Sequence, residues 1–549
     1  MGLVVRLCSS EIRKSKVKDK NMIRINQLKM PIHHTTEELE KRIRKNLKLS
    51  SDEAFTYKII KRSIDARKKP DIFYVYAIHV KIAKEEHIVK RAHNPSVMLT
   101  QEKAYHYPES GTECMRHSPV IIGAGPAGLF CAYLLTEMGY HPIVLERGKR
   151  IEERKADAEE FWKTGILNTE SNVQFGEGGA GTFSDGKLNS VVKDPFNRNQ
   201  FVLETFVKFG APEQILYDNK PHIGTDILAD VIVSMRQYLE EHGCTFYFEC
   251  LAKDFRIEDG HIRKVICEKE QFDVDSVVFA LGHSSRDTFE RLNDLQIPME
   301  GKNFAVGFRV EHPQEMIDKM MYGAASYEEL PAAPYKVTSN FPNGRGVYSF
   351  CMCPGGYVVN SSSEGERTVV NGMSYFGRDG KNANSAIIVS VDTKDFGVTD
   401  PLAGMRYQQR IEHEAFVRGN GRIPQQLFGD FCNRVPSTNY GAFESQTKGD
   451  TVFSDLRGIF SEDIEESFIA GMNHFGHIIT NFDRKDAIMS GIESRTSSPI
   501  RMLRNELFES SVHGIYPCGE GAGYAGGIMS AAMDGLKVAE AIIRKYRHE

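Results

Sequence analysis

The feature that most constrains this chain is a glycine turn between two short apolar runs, within Val120–Glu146. The first run, Val120–Ile122, leads directly into Gly123-Ala124-Gly125-Pro126-Ala127-Gly128, and the second run ends in Glu146. A strand, a G-x-G-x-x-G turn, a helix and a second strand closed by an acid make up the dinucleotide-binding βαβ unit. The sequence therefore predicts a bound adenine dinucleotide, against the alternative of an ordinary surface βα turn.

Each residue of this unit has its own predicted role. Gly123 makes the turn, Gly125 lets the backbone approach a pyrophosphate, and Gly128 lets the helix pack on the strand. The helix that follows Gly125 offers free N–H groups and a partial positive charge to the phosphates. Glu146, 18 positions after Gly128, has the spacing of a carboxylate that accepts ribose hydroxyls.

Length and composition exclude several classes of protein. With 549 residues, 41% apolar and 26% charged, the chain exceeds what one core usually serves, so we expect two or three globular domains. No apolar run approaches the roughly 20 residues of a membrane helix. The ten cysteines lack C-x-x-C spacing, which predicts a reducing, cytoplasmic setting without a disulfide framework. No cluster of His, Cys, Asp or Glu has metal-ligand spacing, so we expect no metal site.

The front of the chain is basic and forms a separate small module. Residues 1–110 carry 24 Lys and Arg against 13 Asp and Glu. We treat residues 1–21 as a loose extension, predict a small α+β domain of ferredoxin-like type over residues 22–90, and assign residues 91–117 to a linker. The basic hairpin Lys58–Lys69 could hold RNA or an acidic protein. Because no aromatic residues interleave its charges, a solvated hairpin is favoured.

Two further glycine-rich segments, Asn172–Lys187 and Gly514–Met529, lie on either side of a long region with a different sequence pattern. Asn172–Lys187 leaves backbone N–H groups free to approach a ligand, and Asp275–Gly282 is typical of a buried strand ending in a small-residue turn. Residues 301–496 alternate short strands with Gly and Asn turns, which indicates a mostly-β domain inserted between residues 118–300 and 497–549. Gly514–Met529 then precedes a last helix and forms another anion-facing turn.

These segments resemble the glutathione-reductase-type FAD fold and, more specifically, a family of bacterial FAD-dependent (NAD/FAD-utilising) dehydrogenases. The resemblance covers nearly all of the chain from about Met22 and rests on the segments Asn172–Leu188, Lys220–Asp226, Phe279–Thr288, Tyr348–Val358, Glu493–Pro499 and Gly519–Lys537. It implies an α/β fold with a discontinuous Rossmann-like FAD-binding domain, an inserted mostly-β substrate domain and a small N-terminal α+β domain. It also implies FAD as the cofactor.

The resemblance assigns cofactor contacts to residues far apart in the sequence. The pyrophosphate and adenosine are expected to meet Gly123, Gly125, Pro126, Ala127, Gly128, Glu146, Arg147 and Ala252, and the rest of the cofactor Gly179, Ala180, Gly181, Ala280, Gly282, Gly519 and Glu520. Gly526, Gly527 and Ile528 are expected to offer main-chain donors to the flavin. The helix that they open would point its positive end at the edge where charge accumulates on reduction.

The expected activity is that of an FAD-dependent oxidoreductase, which transfers hydride between a small organic substrate and flavin N5. Candidate catalytic residues are Cys353, Asn384 and Arg495 of the inserted domain and His283 beside Gly282, although each also has a structural explanation. A second nucleotide unit is missing, which disfavours stable NAD(P)H binding but leaves transient hydride delivery open. Two other functions stay open: an RNA-modifying enzyme that uses the basic front domain, and a non-catalytic flavin-bound sensor.

Overall fold

The computed structural model describes residues 21–190, 192–323 and 330–548. These residues divide into two units: residues 21–105 with Tyr217–Asn219, and residues 106–216 with residues 220–548. The loose extension predicted for residues 1–21 lies outside the described residues, except for Asn21.

The N-terminal unit has the βαββαβ order of the ferredoxin-like fold. Its elements are β1 (Asn21–Pro31), α1 (Thr36–Leu47), β2 (Thr56–Lys68), β3 (Asp71–Lys81), α2 (Glu85–Ala92) and β4 (Val97–Gln101). The sheet order is β2-β3-β1-β4. A capping box begins α1, since the Thr35 hydroxyl accepts from the Glu38 N–H and the Glu38 carboxylate accepts from the Thr35 N–H. Both helices bury their apolar side chains on the sheet.

The predicted boundary of this unit was wrong. We ended the domain near Lys90 and placed residues 91–117 in a linker, whereas β4 lies within that range and pairs antiparallel with β1. The strand was missed because Met98 and Leu99 are 45% and 39% exposed on an edge strand, so the apolar alternation that marks a half-buried strand is absent.

The second unit begins with the nucleotide-binding fold. Its first elements are β5 (Glu113–Cys114), β6 (Val120–Ile122), α3 (Pro126–Glu137), β7 (Ile143–Leu145), α4 (Ile151–Thr164), α5 (Arg198–Lys208), α6 (Gly224–Glu241), β8 (Thr245–Tyr247), β9 (Asp254–Glu258), β10 (His261–Ile266), β11 (Gln271–Asp273), β12 (Val277–Phe279) and α7 (Arg286–Asp294). Strands β9, β10 and β11 form a separate antiparallel sheet. The predicted strand–turn–helix–strand unit is β6, α3 and β7.

The inserted region follows as a mostly-β domain. Its elements are β13 (Met299–Gly301), β14 (Phe304–Pro313), α8 (Gln314–Tyr322), β15 (Thr338–Asn340), β16 (Gly346–Cys353), β17 (Tyr357–Asn360), β18 (Val370–Met373), β19 (Asn382–Val391), α9 (Thr393–Phe396), α10 (Ala403–Gly419), β20 (Ile423–Leu427), α11 (Phe428–Asn433), β21 (Thr447–Lys448), β22 (Thr451–Phe453), α12 (Glu462–Gly476), β23 (Ile488–Glu493) and β24 (Ile500–Met502). The main sheet has the order β15-β16-β19-β14-β23-β20-β22. Strand β13 pairs with β24, so the entry and exit of the insertion lie side by side.

The chain then returns to the first sheet. The last elements are β25 (Ile515–Pro517), α13 (Ile528–Lys545) and β26 (Tyr546–Arg547). Strand β25 completes a five-stranded parallel sheet of order β25-β12-β6-β7-β8, and α13 packs along α3. The predicted fold class is therefore confirmed, because the C-terminal segment joins a Rossmann-like sheet begun before the insertion.

Candidate functional site

The glycine turns meet at one edge of the parallel sheet. Strands β6, β12 and β25 are paired in register, with Phe279 opposite both Ile122 and Pro517. The turns that begin at Gly123, Ala280 and Cys518 therefore start level with one another. This is the carboxyl end of the strands, where open α/β sheets bind their ligands.

Several glycines of this edge are required by packing. A Cβ on Gly128 would lie 1.9 Å from the Gly123 carbonyl oxygen, and one on Gly519 would lie 2.7 Å from the Ala127 Cβ. Gly123 has φ +106°, and its Cβ would lie 2.6 Å from the Ala280 oxygen. These residues let α3 and the turns approach one another. The sequence assigned this role to Gly128 in advance.

Other glycines of the same edge face open space. At Gly282, Gly526 and Gly527 a Cβ would meet no heavy atom within 4 Å, and at Gly125 the nearest lies at 3.8 Å. Gly125 and Gly282 lie in the turns that follow β6 and β12, and Gly526 and Gly527 lie between the turn that follows β25 and helix α13. Their missing side chains leave a cradle along the edge of the sheet, which is the space that a ligand backbone or ring needs.

Two helices point uncapped N-termini at this cradle. Helix α3 begins after Gly125 and α13 after Gly527, and neither has a side-chain cap. The N–H groups of their first turns, apart from Pro126, which has none, are thus available to an anion. One predicted donor is engaged, because the Gly526 N–H donates to the Ser530 hydroxyl at 3.1 Å.

Glu146 ties the turn to its neighbours. Its carboxylate accepts main-chain N–H groups from Ala124, Gly148 and Gly176, each at 2.9 Å, and the residue is 6% exposed. Oε1 accepts two of these bonds and Oε2 only one. Because a carboxylate oxygen has two acceptor positions, Oε2 retains one for the ribose hydroxyl that the sequence predicts.

The glycine-rich segment Asn172–Lys187 is held by an arginine that the sequence analysis missed. Arg154 on α4 is fully buried and donates to five carbonyl oxygens of this segment: Asn172, Val173, Gly176, Glu177 and Gly179. Burial lowers its pKa to about 10. The only sequence signal was its position on the apolar stripe of α4, beside Ile151, Ala158 and Phe161.

The residues predicted to meet the adenosine are held in place by protein contacts. The Arg147 guanidinium pairs with Glu170 and Asp287 at 3.0 and 2.9 Å and lies 4.0 Å from the centre of the Phe175 ring. Ala252 is buried, at 3% exposure.

Pro126 and Gly179–Gly181 lie together, since Cβ atoms on Gly179 and Gly181 would lie 3.7 and 3.8 Å from the Pro126 ring.

His283 and Glu520 form a pair across two of the turns. The His283 Nδ1 lies 2.8 Å from Glu520 Oε1, and the His283 N–H donates to Oε2 at 3.0 Å. Burial raises the pKa of Glu520, but His283 outweighs it and the net pKa lies below the ordinary value. The Nε2 atom of His283 is buried without a partner among the described residues.

Arg495 lies inside a buried ionic network. Its guanidinium donates to both oxygens of Glu412, at 3.0 and 2.8 Å, and to the hydroxyls of Ser284 and Ser363. Arg286 donates to the same two Glu412 oxygens, both at 2.8 Å. Burial raises the pKa of Glu412, and the two arginines more than offset this, so the net pKa is lowered. Arg495 therefore makes the contacts expected of a residue that stabilises the fold.

The two remaining candidates lie together around a second missed arginine. Cys353 on β16 is the register partner of Asn384 on β19. Arg309 on β14, fully buried, donates to Asn384 Oδ1 at 2.8 Å, contacts Cys353 Sγ at 3.2 Å and pairs with Glu493 at 2.8 Å. The Asn384 Nδ2 atom is buried without a partner among the described residues. Burial raises the pKa of the Cys353 thiol, and Arg309 opposes this.

This cluster adjoins the end of the glycine-rich segment. The Lys187 ammonium donates to the carbonyl oxygen of Met352, which precedes Cys353. The structure thus brings Cys353 and Asn384 together beside this segment, places His283 beside Gly282, and anchors Arg495 to Ser284 of the same turn.

Within the described ranges, no group of three or more His, Cys, Asp or Glu is placed to hold a metal ion. In the same residues no helix is both long and apolar enough to cross a membrane.

Several cationic residues of the basic hairpin form ion pairs with acidic residues of the N-terminal unit. Lys58 pairs with Glu102 at 3.6 Å, and Arg62 pairs with Asp218 at 2.8 Å. Arg67 pairs with Asp65 at 2.7 Å. These contacts weaken the support for an RNA-binding surface.

Three sequence models of protein families match the chain. The model described as "FAD-dependent protein, C-terminal domain-like" matches residues 303–496, and that of an NAD(P)-binding Rossmann-like domain matches residues 121–152. A domain of unknown function matches residues 22–81. The open glycines and uncapped helices fit FAD, which is the cofactor of this chain.

Among known proteins, a Clostridium beijerinckii protein described as an "Uncharacterized protein" is 44% identical over 529 residues, covering 95% of this chain and 99% of that protein. Similar solved structures include a Bacillus halodurans glycerol-3-phosphate dehydrogenase complexed with FAD, with 10% identity, TM-score 0.34 and coverage of 77% of this chain and 63% of that chain. A Bacillus cereus glycine oxidase has 12% identity, TM-score 0.30 and coverage of 78% and 95%. The chain belongs to the same family as this C. beijerinckii protein, a family of FAD-dependent proteins with an NAD(P)-binding Rossmann-like domain.

Proposed function

We propose that the protein is an FAD-dependent oxidoreductase that transfers hydride between a small organic substrate and flavin N5. The observation that carries the proposal is the cradle of Gly125, Gly282, Gly526 and Gly527 at the ends of β6, β12 and β25. When bound there, FAD supplies the hydride chemistry. The protein's own residues hold the cofactor, exclude water and orient the substrate.

The substrate site proposed lies between the Asn172–Lys187 segment and the sheet of the inserted domain. Cys353 and Asn384 are the residues proposed to contact the substrate. The unpartnered Asn384 Nδ2 supports this role, because a buried donor without an acceptor is rare unless a ligand or water completes it. Arg309 fixes the Asn384 amide orientation by donating to its oxygen.

His283 is proposed to act with Glu520 beside the cofactor. Because the Glu520 carboxylate is ionised, the Nδ1 atom that faces it carries the hydrogen, and Nε2 is left to exchange a proton. Arg495 is proposed as a positioning residue, since its contacts to Ser284 and Glu412 fix the turn that carries His283.

The test is an anaerobic stopped-flow scan of the purified holoprotein against NADH, NADPH and a panel of metabolites. We expect one donor to bleach the flavin absorbance near 450 nm within seconds, as about 1–1000 turnovers per second are typical of enzymes. Transient delivery by NADH or NADPH would also support an oxidoreductase. Flavin that dithionite reduces but no member of the panel reduces would contradict the proposal and favour a flavin-bound sensor.

A further inference from the structure

The end of the glycine-rich segment carries more positive charge than its own carboxylates balance. Lys187 lies 3.6 Å from Asp185 Oδ2, but Asp185 is already bound by the Arg378 guanidinium, whose Nε lies 2.9 Å from Oδ1. Asp185 is 4% exposed. Burial raises its pKa, Lys187 and Arg378 outweigh that effect, and the net pKa is lowered. One carboxylate thus serves two cations.

A second lysine adds to this excess. Residues 186–188 run antiparallel to residues 221–223, with Lys187 opposite His222 and the Leu188 N–H donating to the Pro221 oxygen at 2.9 Å. Lys220 therefore emerges next to Lys187. It forms no ion pair with any carboxylate of the described residues. Burial lowers the pKa of Lys220, and repulsion from Lys187 and Arg378 lowers it further.

The cations border the groups already proposed to contact substrate. Lys187 reaches the Met352 carbonyl oxygen, one residue before Cys353, and the unpartnered Asn384 Nδ2 lies on the register partner of Cys353. The nearby Arg309 is neutralised by Glu493. Among the described residues, the partners of Lys187 are thus a neutral carbonyl and a shared carboxylate, although a lysine ammonium offers three donors.

We propose that Lys187 and Asn384 bind an oxyanion group, a carboxylate or a phosphate, on the substrate of this enzyme. The inference rests on the proposed function, because it names the substrate class of the same site. An oxyanion accepts hydrogen bonds from both the ammonium and the amide, and it compensates the charge that Asp185 leaves unbalanced.

The test uses the oxidised holoprotein and needs no turnover. Sodium phosphate, acetate and succinate are titrated against the visible flavin spectrum at ionic strength held constant with NaCl, with glycerol as a neutral probe. We expect at least one oxyanion to perturb the spectrum saturably and glycerol to have no effect. Lys187→Met should weaken that binding about tenfold or more, the value of one charge-assisted hydrogen bond.

Two further variants make the outcome decisive. Lys187→Arg keeps the charge and should bind the oxyanion close to wild type, and it also reports whether the segment folds when Lys187 is replaced. Lys269→Met makes the same charge change on the exposed β10–β11 turn and should leave binding unchanged. The inference would be overturned if Lys187→Met and Lys269→Met bound the oxyanion equally well. It would also be overturned if no oxyanion changed the flavin spectrum more than NaCl does. Flavin bleaching by neutral or cationic donors alone would also overturn it, while leaving the oxidoreductase proposal intact.

Discussion

At the scale of single residues, buried charged side chains order the glycine-rich backbone of the site. Glu146 gathers three main-chain N–H groups, and Arg154 gathers five carbonyl oxygens of the opposite segment. Glycine-rich backbone has high conformational entropy in the unfolded chain, so such clamps are needed to order it. The acid was predictable from the βαβ pattern. The arginine was not, because a buried arginine looks like any other charged residue of a polar helix.

Replacing Arg154 should loosen the segment that faces the cofactor. Arg154→Met removes the donor of the Asn172, Val173 and Glu177 carbonyl oxygens, and each orphaned oxygen costs about 1–3 kcal/mol. The Gly176 and Gly179 oxygens keep main-chain donors. Arg154→Lys should recover little, because an ammonium lacks the planar fork of five donors. We expect both variants to lower the thermal midpoint and to weaken FAD uptake by the deflavinated protein. Arg256→Met is the control, since Arg256 is 63% exposed beside Glu258. Wild-type stability and FAD affinity in Arg154→Met would refute the clamp.

At the scale of elements, the Arg286–Glu412–Arg495 network joins three parts of the fold. Arg286 begins α7, Glu412 lies in α10, and Arg495 follows β23. Glu412 is fully buried and pairs with both arginines, and Glu364 pairs with each of them as well. The network therefore fixes the inserted domain against the turn that carries His283.

Glu412→Gln should destabilise the full chain strongly. The substitution leaves two buried arginines with Glu364 as their one remaining carboxylate partner among the described residues, and breaking a buried ion pair costs about 3–5 kcal/mol. Because the Glu412 pKa is lowered in the folded state, its contribution is present above the unfolded value of about 4.3 and is lost as pH falls through the lower folded pKa. The difference in free energy of unfolding between wild type and variant, measured by urea denaturation, should be constant from about pH 8 to pH 5. Glu315→Gln, in an exposed pair with Lys319, is the control. If Glu412→Gln lowers the free energy of unfolding no more than Glu315→Gln does, the network does not stabilise the fold.

Elements with clear local signals were predictable, and those shaped by tertiary burial were not. The α1 cap and the β6–α3–β7 unit follow from local patterns, and both are present. Strand β23 has no sequence signal of its own, because every one of its residues is buried, including Gly491, and no polar alternation marks it. Helix α4 was missed because its acidic and basic residues mask the apolar stripe that contains Arg154.

At the scale of the whole second unit, the cofactor edge is assembled from segments that the insertion separates. Sequence patterns predicted which glycine turns belong together, because each turn follows a buried strand. Outside the βαβ unit they did not distinguish glycines that pack from glycines that face open space, since both have the same chemistry. That distinction depends on the atoms of other turns, as the contrast between Gly519 and Gly282 shows.

The most direct test of the FAD cradle is a titration of the deflavinated protein with FAD, comparing wild type with Gly282→Val. Gly282 has no heavy atom within 4 Å of its Cβ position and no left-handed φ, so the substitution should leave the thermal midpoint of the apoprotein unchanged. Gly365→Val, at an equally open glycine of the inserted domain, is the matched control. We expect wild type and Gly365→Val to bind FAD tightly and Gly282→Val to lose most of its affinity. Wild-type FAD affinity in Gly282→Val would contradict the account.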